Sequence, residues 1–66
     1  MQAAPTMPVV PVGKIKSLGK FGEPYEVGQP LRPIGNGDWM VKITLIKSGE
    51  VTEYRLSLLL ADPDAV

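Results

Sequence analysis

Cysteine and histidine are both absent from these 66 residues. Their absence closes the disulfide route by which many small chains are stabilised, and it removes the usual ligands of a structural zinc. It also removes imidazole and thiolate chemistry, so no Ser-His-Asp or Cys-His arrangement and no histidine general base can be assembled within the chain. Neither sign of charge is in excess: seven Lys plus Arg face seven Asp plus Glu. No overall field therefore draws in nucleic acid, an anionic membrane surface or an acidic partner. Long apolar runs are missing too, the longest being Leu58-Leu59-Leu60-Ala61, against the ~20 residues needed to span a bilayer. The start lacks a basic stretch followed by an apolar one, so no secretory signal is expected and a cytoplasmic protein is the reading. Neither GxxxxGK[ST] nor GxGxxG occurs, and the glycines at 19, 22, 35 and 37 precede β-like segments, which argues for turns and against a phosphate cradle.

What is present begins with period-two alternation. Over residues 38–47, Trp39, Val41, Ile43 and Leu45 share one face, while Met40, Lys42, Thr44 and Ile46 share the other. A two-residue turn at Ser48-Gly49 predicts that Ile46 faces Val51, Leu45 faces Thr52, Ile43 faces Tyr54 and Val41 faces Leu56. The inner face is then Trp39, Val41, Ile43, Leu45, Thr52, Tyr54 and Leu56, and a slip of one residue would turn all of it into water. This register sets Lys42 opposite Arg55, a repulsion that Glu53 on the diagonal offsets.

The rest of the chain is punctuated by glycine and proline. Residues 1–11 hold three prolines and no charge and read as a flexible tail; 12–63 read as a single small β domain, and 64–66 as a C-terminal tail. Ile15 and Leu18 sit at odd spacing, which predicts a bulge near Ser17 if both face the core. Tyr25 to Val27 reads as a very short strand ended by a turn at Gly28-Gln29-Pro30. A three-residue loop Gly35-Asn36-Gly37 would bring Leu31 and Pro33 beside Val41 and Trp39. Ser57 is a candidate N-cap for a helical turn that Asp62-Pro63 stops. The fold class is all-β with one short terminal helix, as a small antiparallel sheet or an SH3-like barrel of four to five short strands.

No catalytic, cofactor or metal residue is expected. Glu23 with Glu26 and Glu50 with Glu53 point to opposite faces of a strand, and Asp62 with Asp64 offers too few oxygens for a hard cation. For a chain this small, with disulfide and metal closed, self-association is a natural way to gain buried surface. Met40, Ile46 and Val51 lie on the face opposite the core and form the candidate partner-binding set, for another protein or a second copy. The alternative is a small barrel gripping RNA or DNA through Lys14, Lys16, Lys20 and Arg32, with Phe21 or Tyr25 for stacking. A third reading is an enzyme whose site forms only in an oligomer. Basic residues gather early and acidic ones late, a polarity suited either to head-to-tail assembly or to a solvated strand edge.

The segments Ile15-Lys16-Ser17 with Gly19, Tyr25 to Arg32 (YEVGQPLR), Gly37-Asp38-Trp39 and Thr52 to Leu56 (TEYRL) carry a resemblance. The chain resembles a family of short bacterial proteins of unassigned function over residues 12–63, departing from its pattern at Leu18 and at Gly35-Asn36. The resemblance implies no activity, substrate or cofactor. Small bacterial proteins of this size often serve as inhibitors, antitoxins or accessory subunits, and a non-catalytic interaction module is the expectation.

Overall fold

The computed structural model describes residues 7–19 and 22–65. Four strands, β1 (Ile15–Ser17), β2 (Pro24–Pro33), β3 (Trp39–Leu45) and β4 (Val51–Arg55), form an open antiparallel sheet in sequential order. A helix, α1 (Leu56–Ala61), follows directly. The sheet does not close into a barrel. Instead, the chain leaves α1 and returns to the opposite side of the sheet, where Ser17 donates its amide to the Pro63 carbonyl (3.0 Å) and Ala65 donates to that of Ile15 (2.9 Å). Residues 63–65, expected in part as a free tail, thus add a rung outside β1, with Asp64 opposite Lys16.

The alternation over β3 assigns the faces correctly, but the hairpin register differs by two residues. Val41 faces Tyr54, Ile43 faces Thr52, and Lys42 faces Glu53, not Arg55. A shift of two leaves every side chain on its expected face, because the strand period is two. It also replaces a like-charge pair by an opposite one. The turn is correspondingly longer: Leu45 donates to the Glu50 carbonyl, Gly49 donates to that of Leu45 with both contacts at 2.8 Å, and Gly49 takes a φ of 75°. Ile46 leaves the ladder with β4 and donates to the Pro24 carbonyl instead (3.1 Å).

No turn interrupts Gly28-Gln29-Pro30. The stretch belongs to one ten-residue strand bent by two bulges, one between Val27 and Pro30 and one between Pro30 and Arg32. Gly28 makes the first possible, since a β-carbon there would stand 2.8 Å from the Lys42 carbonyl oxygen. Leu31 is the extra residue of the second; Pro30 stands opposite Val41, where Leu31 was expected, and Leu31 is left exposed. Pro33 faces Trp39 as the three-residue loop requires, with Asn36 and Gly37 both at positive φ. Prolines are tolerated in this inner strand because β1 has ended by Val27, beyond which β2 pairs with β3 alone.

No bulge near Ser17 is needed either. β1 pairs without a break, and the position facing Tyr25 belongs to Lys16, so Ile15 points away while Leu18 packs at the core margin. The core is Tyr25, Val27, Val41, Ile43, Leu56 and Leu59, with Val10, Leu18, Trp39, Leu45 and Tyr54 packed against it. Val10 lies within the stretch read as a tail. Among the described residues, no helix is long and apolar enough to cross a membrane.

Candidate functional site

Lys16 is the first residue whose position the alternation of charge does not reveal. It is 7% exposed, its stem filling an inward strand position while its ammonium donates to the Asp62 carbonyl (2.9 Å) and to Asp64 Oδ1 (3.2 Å). Lys14 reaches the other Asp64 oxygen at 3.4 Å. Lys14 and Lys16 therefore pair with Asp64 within one chain, where a head-to-tail assembly or a solvated edge was expected. Beside them, Asp62 accepts from the Tyr25 hydroxyl (2.8 Å) and from the Gly19 amide (3.1 Å). Tyr25 is fully buried and meets Tyr54 edge to face, with centroids 5.6 Å apart.

The electrostatics of this cluster favour a locked structure over a reactive one. Burial first, then the Asp62 carboxylate, pushes the Tyr25 phenol far above its ordinary range, so it stays protonated and donates a hydrogen bond to Asp62. Tyr54 moves the same way for the same reasons. The hydrogen bond from Lys16, reinforced by Lys14, holds Asp64 below the usual carboxylate range.

A second cluster joins the loop before β3 to the start of α1. Ser57 is not the N-cap; Arg55 occupies that place without a side-chain cap. Asp38 caps from across the fold, accepting from the Ser57 hydroxyl (2.6 Å), the Ser57 amide (3.0 Å) and the Trp39 amide (2.9 Å). Its carboxyl is lowered chiefly by the Ser57 hydroxyl. An open cleft of about 400 Å³ lies alongside, bordered by Asn36, Asp38, Arg55, Leu56 and Leu60. The Ser57 hydroxyl donates to the Asp38 carboxylate, and the pair holds the start of α1.

The third region is the sheet's outer face. Arg32 and Glu53 pair at 2.6 Å across the width of β3, lowering the Glu53 carboxyl. Met40 is half-buried, with Arg32 and Arg55 as its neighbours on either side. Val51 faces Thr44, and it and Ile46 are exposed near the hairpin end. The Lys42–Glu53 rung separates Met40 from Val51, so the expected set is divided in two. Of the residues proposed to grip nucleic acid, Lys14, Lys16 and Arg32 are paired with carboxylates, Tyr25 is inside the core, and Lys20 and Phe21 lie outside the described residues. No group of three or more His, Cys, Asp or Glu that could hold a metal occurs among the described residues.

These shifts fix the sign of a pH dependence. Asp38, Asp64 and Glu53 are lowered in the fold, so the unfolded chain binds more protons around pH ~4, and stability falls as pH drops through the folded values. Tyr25 and Tyr54 are raised, so stability falls as pH climbs past ~10. Urea midpoints measured against pH should form a plateau with two falling limbs, and Tyr25→Phe should flatten the alkaline one. An alkaline limb as steep in Tyr25→Phe as in the parent would contradict the assignment.

Two comparisons bear on what kind of protein this is. The model of a family of unknown function, DUF5397, matches residues 3–66. An uncharacterized protein of Haemophilus influenzae is 52% identical over 56 residues, which cover 85% of this chain and 89% of the relative. Both agree with the resemblance carried by the YEVGQPLR and TEYRL segments.

Proposed function

The chain belongs to the DUF5397 family of unknown function, and for this member we propose a non-catalytic interaction module that binds a protein partner or a second copy of itself through the β3–β4 hairpin. One observation carries the reading: the polar clusters hold the fold together, whereas among the described residues the hairpin keeps a free strand edge at β4 and exposed apolar groups at Ile46 and Val51. Lys16, Tyr25, Asp62 and Asp64 saturate one another, and Asp38 saturates Ser57. A strand edge with unpaired backbone groups is a general means of adding a strand from another chain.

The test is to follow the full chain by light scattering over a wide concentration range and to recover it with a tag from its native cells. A second copy or a stoichiometric protein partner is expected. Ile46→Lys together with Val51→Lys should weaken that association at least tenfold without unfolding the chain. A monomer that recovers no protein, or association unaffected by the two lysines, would overturn the proposal.

A further inference from the structure

Every open edge of the sheet differs in what it can accept. The outer side of β1 is covered by residues 63–65. Among the described residues the half of β2 beyond Val27 lacks a second neighbour, but Pro30, Pro33 and two bulges deny it a regular row of donors. β4 is different: it contains no proline, no lysine and no bulge, and among the described residues it is paired on one side only. Since Leu45 and Glu50 are hydrogen-bonded partners, alternation makes Thr52 and Tyr54 the β4 residues bonded to β3. The amides of Val51, Glu53 and Arg55 and the carbonyls of Val51 and Glu53 therefore face outward, while the Arg55 carbonyl, at the N-cap of α1, is committed to the helix.

The charges on this edge select the occupant. Glu53 and Arg55 lie two residues apart on one face of the strand. Two antiparallel copies of β4 related by a twofold axis through Tyr54 place Glu53 of each against Arg55 of the other, forming two ion pairs, with the Arg55 amide of each copy donating to the Glu53 carbonyl of the other. An axis through Glu53 would set that carboxylate against its own copy. Arg55 has no carboxylate within 4 Å among the described residues, and Glu53 is about half exposed beyond its contact with Arg32. From this self-complementarity we propose that the chain forms a symmetric dimer by pairing β4 with β4 of a second copy, in the register centred on Tyr54, giving a continuous eight-stranded sheet. The proposal rests on the hairpin being the interaction surface and names its partner and register. Three residues a side make a small interface, so association is weak and concentration-dependent.

The experiment uses charge reversal in the full chain, followed by sedimentation equilibrium up to high protein concentration. Glu53→Arg and Arg55→Glu each set like charges together twice across the axis, and each should raise the dimer dissociation constant at least tenfold. An equimolar mixture of the two variants pairs arginine with glutamate at both positions and should recover a dimer of the parent's affinity. Circular dichroism checks that each variant keeps its sheet. A parent that stays monomeric, single variants that dimerise as the parent does, or a mixture that stays monomeric would each overturn the Tyr54-centred dimer. A tagged chain that stays monomeric yet recovers a stoichiometric protein partner would overturn only the dimer and leave the hairpin reading standing.

Discussion

Leu59→Ala should lower the free energy of unfolding by about 2–5 kcal/mol, while Leu58→Ala and Leu60→Ala should leave it nearly unchanged. The three leucines are consecutive and chemically identical, yet Leu59 is 0% exposed against 49% and 58% for its neighbours. Removing a fully buried leucine side chain costs about 2–5 kcal/mol, from lost transfer energy and from the void left behind. A domain of this length has only about 3–10 kcal/mol in total, at the usual stability per residue. One substitution therefore removes a large share of it, whereas exposed positions change stability within about 0.5 kcal/mol. Urea unfolding followed by the fluorescence of half-buried Trp39 reads all three. Equal effects at the three leucines would refute the placement of α1 over the sheet.

Asp62→Ala should have the next largest effect and should act at a distance from its own backbone. It strips the Tyr25 hydroxyl and the Gly19 amide of their acceptor. Tyr25 is inside the core, and a buried donor left without a partner costs about 1–3 kcal/mol. The same change loosens residues 63–65 from β1, so the amides of Ser17 and Ala65 should exchange with solvent faster than in the parent. Asp62→Asn keeps an accepting oxygen and should recover part of the stability. If alanine and asparagine behave alike, the hydrogen bond from Tyr25 is not what holds the segment.

Much of the fold is legible in one stretch. Trp39, Val41, Ile43 and Leu45 alternate against polar neighbours, and that period assigns faces even when the register is two residues off. The register was less legible because two turn lengths satisfy the same faces, and the choice lies in loop geometry around Gly49. Leu31 and Lys16 were misread for a common reason. Both depend on how neighbouring strands are spaced: a bulge opposite Met40 and Val41 expels an apolar side chain, and Tyr25 draws a lysine stem inward. No single-strand pattern contains either fact.

Candidate contact residues were legible in type but not in grouping. Ile46 and Val51 are exposed as an outward face requires, while Met40 is set apart between two arginines by the Lys42–Glu53 rung. The edge of β4 leaves a sequence signal only in hindsight: a strand without lysine or proline whose two charges are opposite and two residues apart.

The chain's composition alone determined that there is no thiol or imidazole chemistry, and its alternation determined a β fold with a known inner face, because these depend on residue type and on a period set by backbone geometry. Only the tertiary structure decided that Asp62 and Asp64 close over Tyr25 and Lys16, that Asp38 caps a helix nineteen residues away, and that β4 is the regular edge left open. Those are encounters between segments far apart in the chain, and hydrogen bonds and ion pairs of that kind exist only once packing has brought their partners within reach.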